Sequence, residues 1–367
     1  MVYRAIGIMS GSSLDGLDIA FVELHENAGK WTYEIIKADC FSYSEEWTEK
    51  LRSAVKLPAL DYQLLHTGYG HYIGREVNRF IEENSLQYKV ALIASHGHTT
   101  FHVPEKKMTA QLGDGAAIAA ETGLPVVTDL RALDVALGGQ GAPIVPIGEK
   151  LLLGDYDYFL NIGGIANISF TKNSNRIAFD ICPANRVLNM LANDAGKQFD
   201  EGGRLASGGM INKGLLNELN ELDYYSQPYP KSLANDFGTD MVFPKINNAG
   251  LSTKDAVRTY VEHIIVQIKN SIPGTGNNSQ LQTSTSKLLA TGGGAFNTFL
   301  MQRLKEELQT LNVELVIPDE NLVKYKEALI MALIGVLRWR EEYNVLSTVT
   351  GASRDSIGGA LWNGQEA

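Results

Sequence analysis

Tyr158-Phe159-Leu160-Asn161-Ile162-Gly163-Gly164-Ile165-Ala166-Asn167-Ile168-Ser169-Phe170 reads as an apolar strand, a glycine turn and a second strand. The chain opens in the same way. Ala5-Ile6-Gly7-Ile8-Met9 is apolar, residues 10–16 form a polar turn, and residues 17–24 alternate as a half-buried strand does. The second hairpin is therefore read as a weak internal repeat of the first. Outward from these two, residues 31–43 supply a third β-rich run, and residues 61–84 a helix, because Leu64, Leu65, Tyr69, Tyr72, Ile73 and Val77 recur near the helical period. Residues 90–94 form a short buried strand running into Ser95. Residues 255–272 carry Val257, Val261, Ile264, Ile265 and Ile268 on one helical stripe, and residues 273–286 read as loop. From Leu288 the expectation is strand, triple-glycine turn and helix.

A chain of 367 residues is long for one core and comfortable for two domains. We expect an α/β protein with an N-terminal lobe at residues 1–140, joined by segment 345–367, and a C-terminal lobe at residues 141–344, with the hinge near residues 138–146. The formal net charge of −10 opposes a broad nucleic-acid footprint. No apolar stretch reaches membrane-span length, and the N-terminus lacks a secretory h-region. Cys40 and Cys182 have no C-x-x-C neighbour, so neither a disulfide framework nor a zinc or redox motif is indicated, and a reducing cytoplasm is expected.

Three glycine turns carry the functional signal. Gly11-Ser12-Ser13-Leu14-Asp15-Gly16-Leu17-Asp18 offers small residues whose N–H groups let phosphates approach, hydroxyl donors, and two carboxylates able to hold a metal-bound water. It lacks the Gly-Lys-Ser/Thr of a Walker A loop, and the bland reading is an ordinary hairpin turn. Gly163-Gly164 joins two strands, and Gly292-Gly293-Gly294 precedes a helix whose dipole favours an anion. One such turn is weak; three, two of them in repeated hairpins, fit the actin, sugar-kinase and heat-shock-chaperone superfamily, in which two related lobes clamp ATP in a cleft.

The resemblance narrows further. Residues 9–18 resemble the signature loop of the 1,6-anhydro-N-acetylmuramic acid kinases. Similar segments follow in order at residues 95–99, 111–114, 128–131, 136–143, 161–167, 179–180, 230–232, 292–297 and 327–328. Together they span nearly the whole chain. The resemblance implies two actin-like (ribonuclease-H-like) lobes, ATP with Mg2+, and a small anhydro-sugar substrate whose 1,6 bridge is hydrolysed while O6 is phosphorylated. It implies that Asp180 is the base that deprotonates water for attack at the anomeric carbon. It also implies an ATP site in the three glycine turns and a sugar site at His96, Asp129, Arg131 and Glu327. Taken alone, Asp180 at the end of Ile177-Ala178-Phe179, ahead of a Pro183-started helix, reads as a turn or cap residue, Asp129 with Arg131 as a surface pair, and Glu327 as helix N-terminal charge.

Two departures stand out. After Asp180 the family usually has Thr-Gly-Pro-Gly-Asn, whereas this chain has Ile181-Cys182-Pro183-Ala184-Asn185, and His98 replaces the family's usual Gln. His98 and His102 have the H-x-x-x-H spacing of a metal pair, but Thr99-Thr100-Phe101 favours a strand and Pro104 follows, so no metal centre is expected. Two alternatives stay open at this level, a kinase for a different amino or anhydro sugar and a non-catalytic ATP-binding regulator, and a homodimer is left open as the assembly.

Overall fold

The computed structural model describes residues 1–11, 14–173, 175–229, 231–234, 236–273 and 285–364. Its strands in chain order are β1 (Val2–Ser10), β2 (Gly16–Asn27), β3 (Lys30–Ser42), β4 (Leu92–Ser95), β5 (His98–Val103), β6 (Met108–Leu112), β7 (Val126–Thr128), β8 (Tyr158–Ile162), β9 (Ile165–Lys172), β10 (Asn175–Pro183), β11 (Ser286–Thr291), β12 (Val313–Val316) and β13 (Ala360–Trp362). Two compact units result. Residues 1–154 and 325–367 form the first, residues 155–324 the second.

The first unit is built on a sheet of order β13-β7-β4-β1-β2-β3, in which β1, β2 and β3 run antiparallel as a meander and β4 and β7 run parallel to β1. The second has order β10-β9-β8-β11-β12, again an antiparallel meander followed by two strands parallel to its first. Apart from β13 the two orders are the same, so the repeat read from the hairpins extends to whole sheets. Parallel strands need crossover helices that cover a face, which is why both sheets are packed by helices.

In the first unit the helix Ala59–Glu83 buries Tyr69, Tyr72, Ile73, Val77 and Phe80 against the core that also holds Ile6, Ile8, Leu17 and Ile19. In the second, Ser252 caps the helix Thr253–Asn270, which buries Val257, Val261, Ile264, Ile265 and Ile268.

The boundaries differ from those expected. The chain leaves the first unit at Gly154, after the helix Pro146–Leu152, and re-enters it at Tyr325. The physical reason for the second is a break in the helix Glu320–Trp339, where Tyr325 has the non-helical angles φ −114° and ψ 17°. Beyond that kink the helix is apolar on nearly every side, as a central helix must be. It lies so close to β1 that a side chain at Gly7 would collide with the Ala328 carbonyl.

Candidate active site

The first hairpin divides into a turn and a strand. Ser12 and Ser13 lie outside the described residues, Leu14 N–H donates to the Gly11 carbonyl at 3.4 Å, and Leu14 takes a positive φ of 58°. Gly16, Leu17 and Asp18 already belong to β2, so the segment read as one glycine turn is divided between turn and strand. Leu17 is fully buried in the core, and a Cβ on Gly16 would meet Cys40 Sγ and the Phe41 carbonyl, so both positions serve packing.

Asp18 is pushed up to about 6, chiefly by burial; the Cys40 thiol opposes that rise, and Asp15 and Glu327 add to it. Glu327 is raised by burial, with Lys326 and Arg131 pulling it down and Glu149 pushing it up. Burial brings Arg131 down to about 10 against the attraction of Glu327. These couplings bring residues from the two ends of the sequence into one electrostatic neighbourhood. Glu327 sits in the first turn after the kink, and its neighbour Lys326 is buried against Glu149 of the helix Pro146–Leu152, with Nζ to Oε1 at 3.1 Å. That pair was not legible in the sequence, because nothing in the local pattern joins residues 149 and 326.

His96 is buried with both ring nitrogens engaged: Arg131 Nε donates to Nε2 at 2.8 Å, so Nδ1 carries the proton and donates to the Gly97 carbonyl at 2.9 Å. Burial and the adjacent guanidinium push it down to about 3, so it stays neutral. His96 therefore orients Arg131, with both ring nitrogens engaged inside the protein. Asp129 is exposed on the turn after β7, where Thr128 Oγ1 donates to its Oδ2 at 2.9 Å, and among the described residues it makes no ion pair with Arg131. His98 and His102 lie on β5, as the β-favouring residues between them predict. In an extended chain four residues span roughly 13 Å, which does not present the pair to one ion as a helix would. His98 is buried, with Nδ1 3.0 Å from Ser10 Oγ, and among the described residues its Nε2 has no partner.

In the second unit register does the assembling. Thr291 on β11 is level with Asn161 on β8, Asn161 with Asn167 on β9, and Asn167 with Asp180 on β10. A polar row thus crosses the sheet beside the Gly163-Gly164 turn. Asp180 lies within β10, and Pro183 ends that strand instead of starting a helix; the helix begins at Asn185. Proline has no N–H to give a ladder and is tolerated at a strand end. A bulge between Asp180 and Cys182 leaves Ile181 as the extra residue, and Ile181, Cys182 and Ala184 are all core. The departures from the family pattern thus fill the interior.

Asp180 Oδ2 accepts from Ser232 Oγ and from Leu233 N–H, each at 2.9 Å, and Tyr224 Oη donates to the Asp180 carbonyl at 2.6 Å. Pro230, ahead of that serine, lies outside the described residues. Among the described residues no donor reaches Oδ1. Burial raises the carboxyl, and the two donors restrain the rise. Oδ2 is thus oriented by two donors, while among the described residues Oδ1 is left without one. Sequence reasoning did not single out Ser232, Asn161 or Asn167 individually, although the segments that hold them, residues 230–232 and 161–167, were visible.

The glycines sort by what the chain itself requires. A Cβ at Gly292 would strike Asn161 Oδ1 and one at Gly294 would strike Ile162, so both are demanded by packing. At Gly163, Gly164 and Gly293 the nearest atoms would lie at 3.5, 3.9 and 3.5 Å, ordinary contact distances, and none of the three has a positive φ. Among the described residues neither a close contact nor a positive φ demands glycine at these three positions. The Gly163 and Gly164 carbonyls are occupied by the N–H groups of Asn185 and Ala184. The triple glycine leads into a 3-10 turn, Gly293–Phe296, and the helix Thr298–Gln309 starts only after the Asn297 cap. The helix dipole therefore does not abut the glycines as expected; leading N–H groups of the 3-10 turn, which lack intrahelical acceptors, take that place.

Two units of one strand order, each an antiparallel meander followed by two parallel strands, are the architecture of a kinase of the actin-like (ribonuclease-H-like) fold. The chain belongs to the anhydro-N-acetylmuramic acid kinase family, whose family model matches residues 3–364. It is 33% identical to the anhydro-N-acetylmuramic acid kinase of Photobacterium profundum, over 98% of this chain and 99% of that protein. The kinase of the same description from Haemophilus influenzae is also 33% identical, over 97% of each chain. Among solved structures, the activator of the 2-hydroxyisocaproyl-CoA dehydratase from Clostridium difficile with bound ADPNP aligns over 92% of this chain and 96% of its own. Its identity is 13% and its TM-score 0.46, too distant to carry anything about this site. Among the described residues no helix is long and apolar enough to cross a membrane.

Proposed function

We propose that this kinase takes ATP, Mg2+ and 1,6-anhydro-N-acetylmuramic acid, opens the anhydro bridge with water and leaves phosphate on O6, giving N-acetylmuramic acid 6-phosphate in the cytoplasm during cell-wall recycling. The observation that carries the reading is Asp180, with Oδ2 held by two donors and Oδ1 left to accept a proton. Asp180 takes a proton from water as that water bonds to the anomeric carbon. The C1–O6 bond breaks, and the freed O6 receives the γ-phosphoryl group as ADP leaves. Phosphoryl transfer of this kind depends on positioning and electrostatics.

The second unit supplies the base and the bare glycines Gly163, Gly164 and Gly293, whose N–H groups suit phosphate oxygens. The first unit supplies sugar recognition: Arg131, oriented by His96, has a planar fork matched to a carboxylate such as the lactyl group, and Glu327 accepts from sugar hydroxyls. Asp15 and Asp18 are the carboxylates that suit Mg2+. Among the described residues no group of three or more His, Cys, Asp or Glu side chains gathers as a metal cage, and one or two carboxylates suffice for an ion that keeps water and phosphate oxygens as ligands. When bound, the ion neutralises charge on the phosphates.

The test is product analysis in ¹⁸O-labelled water alongside ADP release from a panel of anhydro sugars. Label at C1 and absent from the phosphate is expected. Label in the phosphate, or preference for a sugar without the anhydro bridge, would refute the reading.

A further inference from the structure

β10 is the outer strand of its sheet, so backbone groups along its free side take partners from other elements. Asp180 does so with both main-chain groups. Its N–H donates to the Lys231 carbonyl at 3.2 Å, and its carbonyl accepts from Tyr224 Oη at 2.6 Å. Burial pushes the Tyr224 hydroxyl well above its ordinary range, and the Asp180 charge adds to that, so Oη keeps its proton and is the donor. With Ser232 and Leu233 on Oδ2, the residue is gripped by side chain and main chain alike.

Lys231 ties the two gripping segments together. Its Nζ donates to the carbonyls of Tyr224 and Tyr225 at 3.1 and 3.4 Å and stands 4.6 Å from the centre of the Tyr224 ring. An ammonium can only donate and a carbonyl only accept, so the direction of these bonds is fixed. Tyr224 and Tyr225 lie on the four-residue helix Asp223–Ser226, which is too short to hold its shape by itself. A second root goes into the core: Tyr225 Oη is 3.0 Å from Nε2 of the buried His263, whose Nδ1 is 2.7 Å from Asn220 Oδ1. Burial pushes His263 down to about 3, so this root is neutral and does not titrate near pH 7. All of these residues belong to the second unit.

We propose that Tyr224 is a positioning residue: braced by Lys231 and by the Tyr225–His263 contact, it fixes the main chain of Asp180 and thereby the carboxylate that takes the proton. The inference rests on the reading of Asp180 as the base. A lysine next to Ser232 would be an obvious phosphate contact, but the Lys231 ammonium is engaged by two carbonyls and an aromatic face, and its own carbonyl holds the Asp180 N–H. Lys231 therefore serves the same brace. Misplacing a reacting group by about 1 Å can cost ~10²-fold in rate. Tyr224 is one anchor beside Ser232 and Leu233, so its loss should cost less than that.

Steady-state kinetics of the full-length protein, with ATP and the anhydro sugar varied in turn, test this. Tyr224→Phe keeps the ring and removes only the donor; kcat should fall about tenfold while both KM values stay within about twofold of wild type. Lys231→Met should act in the same way, and Lys231→Arg should recover most of the loss, because a guanidinium also donates to two acceptors. The double variant Tyr224→Phe/Lys231→Met should lose less than the product of the single losses, since both changes loosen one element. Wild-type kcat in Tyr224→Phe overturns the inference, as does a Lys231→Met enzyme with raised ATP KM and unchanged kcat, the signature of a phosphate contact. Should Lys231→Met not fold, Tyr224→Phe decides alone. Near wild-type turnover by Asp180→Asn, or no turnover of an anhydro sugar by the wild type, would instead bring down the functional reading and this inference with it. An inactive Asp180→Asn enzyme beside a fully active Tyr224→Phe enzyme would sink the inference only.

Discussion

The two sheets have one strand order and assemble their polar residues by different means. In the second unit Thr291, Asn161, Asn167 and Asp180 stand in line because backbone ladders put them level, so the row is as rigid as the sheet. In the first, Asp18 comes from β2, His96 from the segment after β4, Arg131 from the turn after β7 and Glu327 from a kinked helix, and they meet only through packing. The contrast matches the tasks proposed for them. A base must be held to a fraction of an ångström relative to reacting atoms, which register provides, while recognition of a sugar tolerates a set gathered from loops and helix ends. Duplicating a topology thus did not duplicate a site.

If that division is right, a change to the sheet row should strike chemistry and spare recognition. Asp180→Asn keeps size and the acceptor toward Ser232 but cannot take a proton, so kcat should fall by ~10²–10⁴-fold or more while calorimetry shows unchanged ATP binding. Near wild-type turnover by a folded Asp180→Asn protein would end the mechanism.

The converse change belongs to the gathered site. Arg131→Ala should cost roughly 10–150-fold in kcat/KM for the sugar, the worth of charge-assisted hydrogen bonds, with the ATP KM little altered. Arg131→Lys should recover only part, because an ammonium lacks the planar fork. Steady-state kinetics with each substrate varied separately decides it, and an effect confined to ATP would reverse the assignment of the two units.

Within the second unit the glycines sharpen the comparison. Gly163→Ala should leave thermal stability within about 0.5 kcal/mol yet weaken nucleotide binding roughly tenfold, since within the protein its Cβ makes only ordinary contacts. Gly294→Ala should instead destabilise the fold by about 1–3 kcal/mol through overpacking against Ile162. Equal nucleotide affinity for wild type and Gly163→Ala would mean the bare glycines are not a phosphate cradle.

The smallest effect expected is a displacement in pH. Burial raises Asp180 and the Ser232 and Leu233 donors hold it down, so removing one donor lets it rise further. The working form is the carboxylate; activity is therefore lost as pH falls through that value, and Ser232→Ala should move the acid limb of kcat/KM to higher pH. An unmoved or lowered limb would show that Ser232 does not tune the base.

Much of this was legible beforehand because it is local. Hydrophobic alternation and helical period depend on neighbours in sequence, so β1, β2, β3 and the helices Ala59–Glu83 and Thr253–Asn270 stood out from the residues alone. The β-branched and aromatic residues after His98 likewise forecast a strand. The motifs marked the family, since particular side chains in order along a chain are themselves a sequence property. The domain boundaries moved by residues 141–154 and 325–344, because a helix can belong to either unit and only its buried face says which.

The sequence alone determined the repeated hairpins and the class of chemistry, since each depends on side-chain type and short-range pattern. Tertiary structure decided which of the motif residues are committed to packing and internal hydrogen bonds. Gly163 and Gly294 look alike on paper, yet a methyl on one would fit without strain and on the other would strike Ile162. His96 and His98 look alike too, and their ring nitrogens are committed by Arg131 and Ser10, partners far away in sequence. A hydrogen bond or a steric contact acts over a few ångströms, and which residues come within that range is set by the folding of the whole chain.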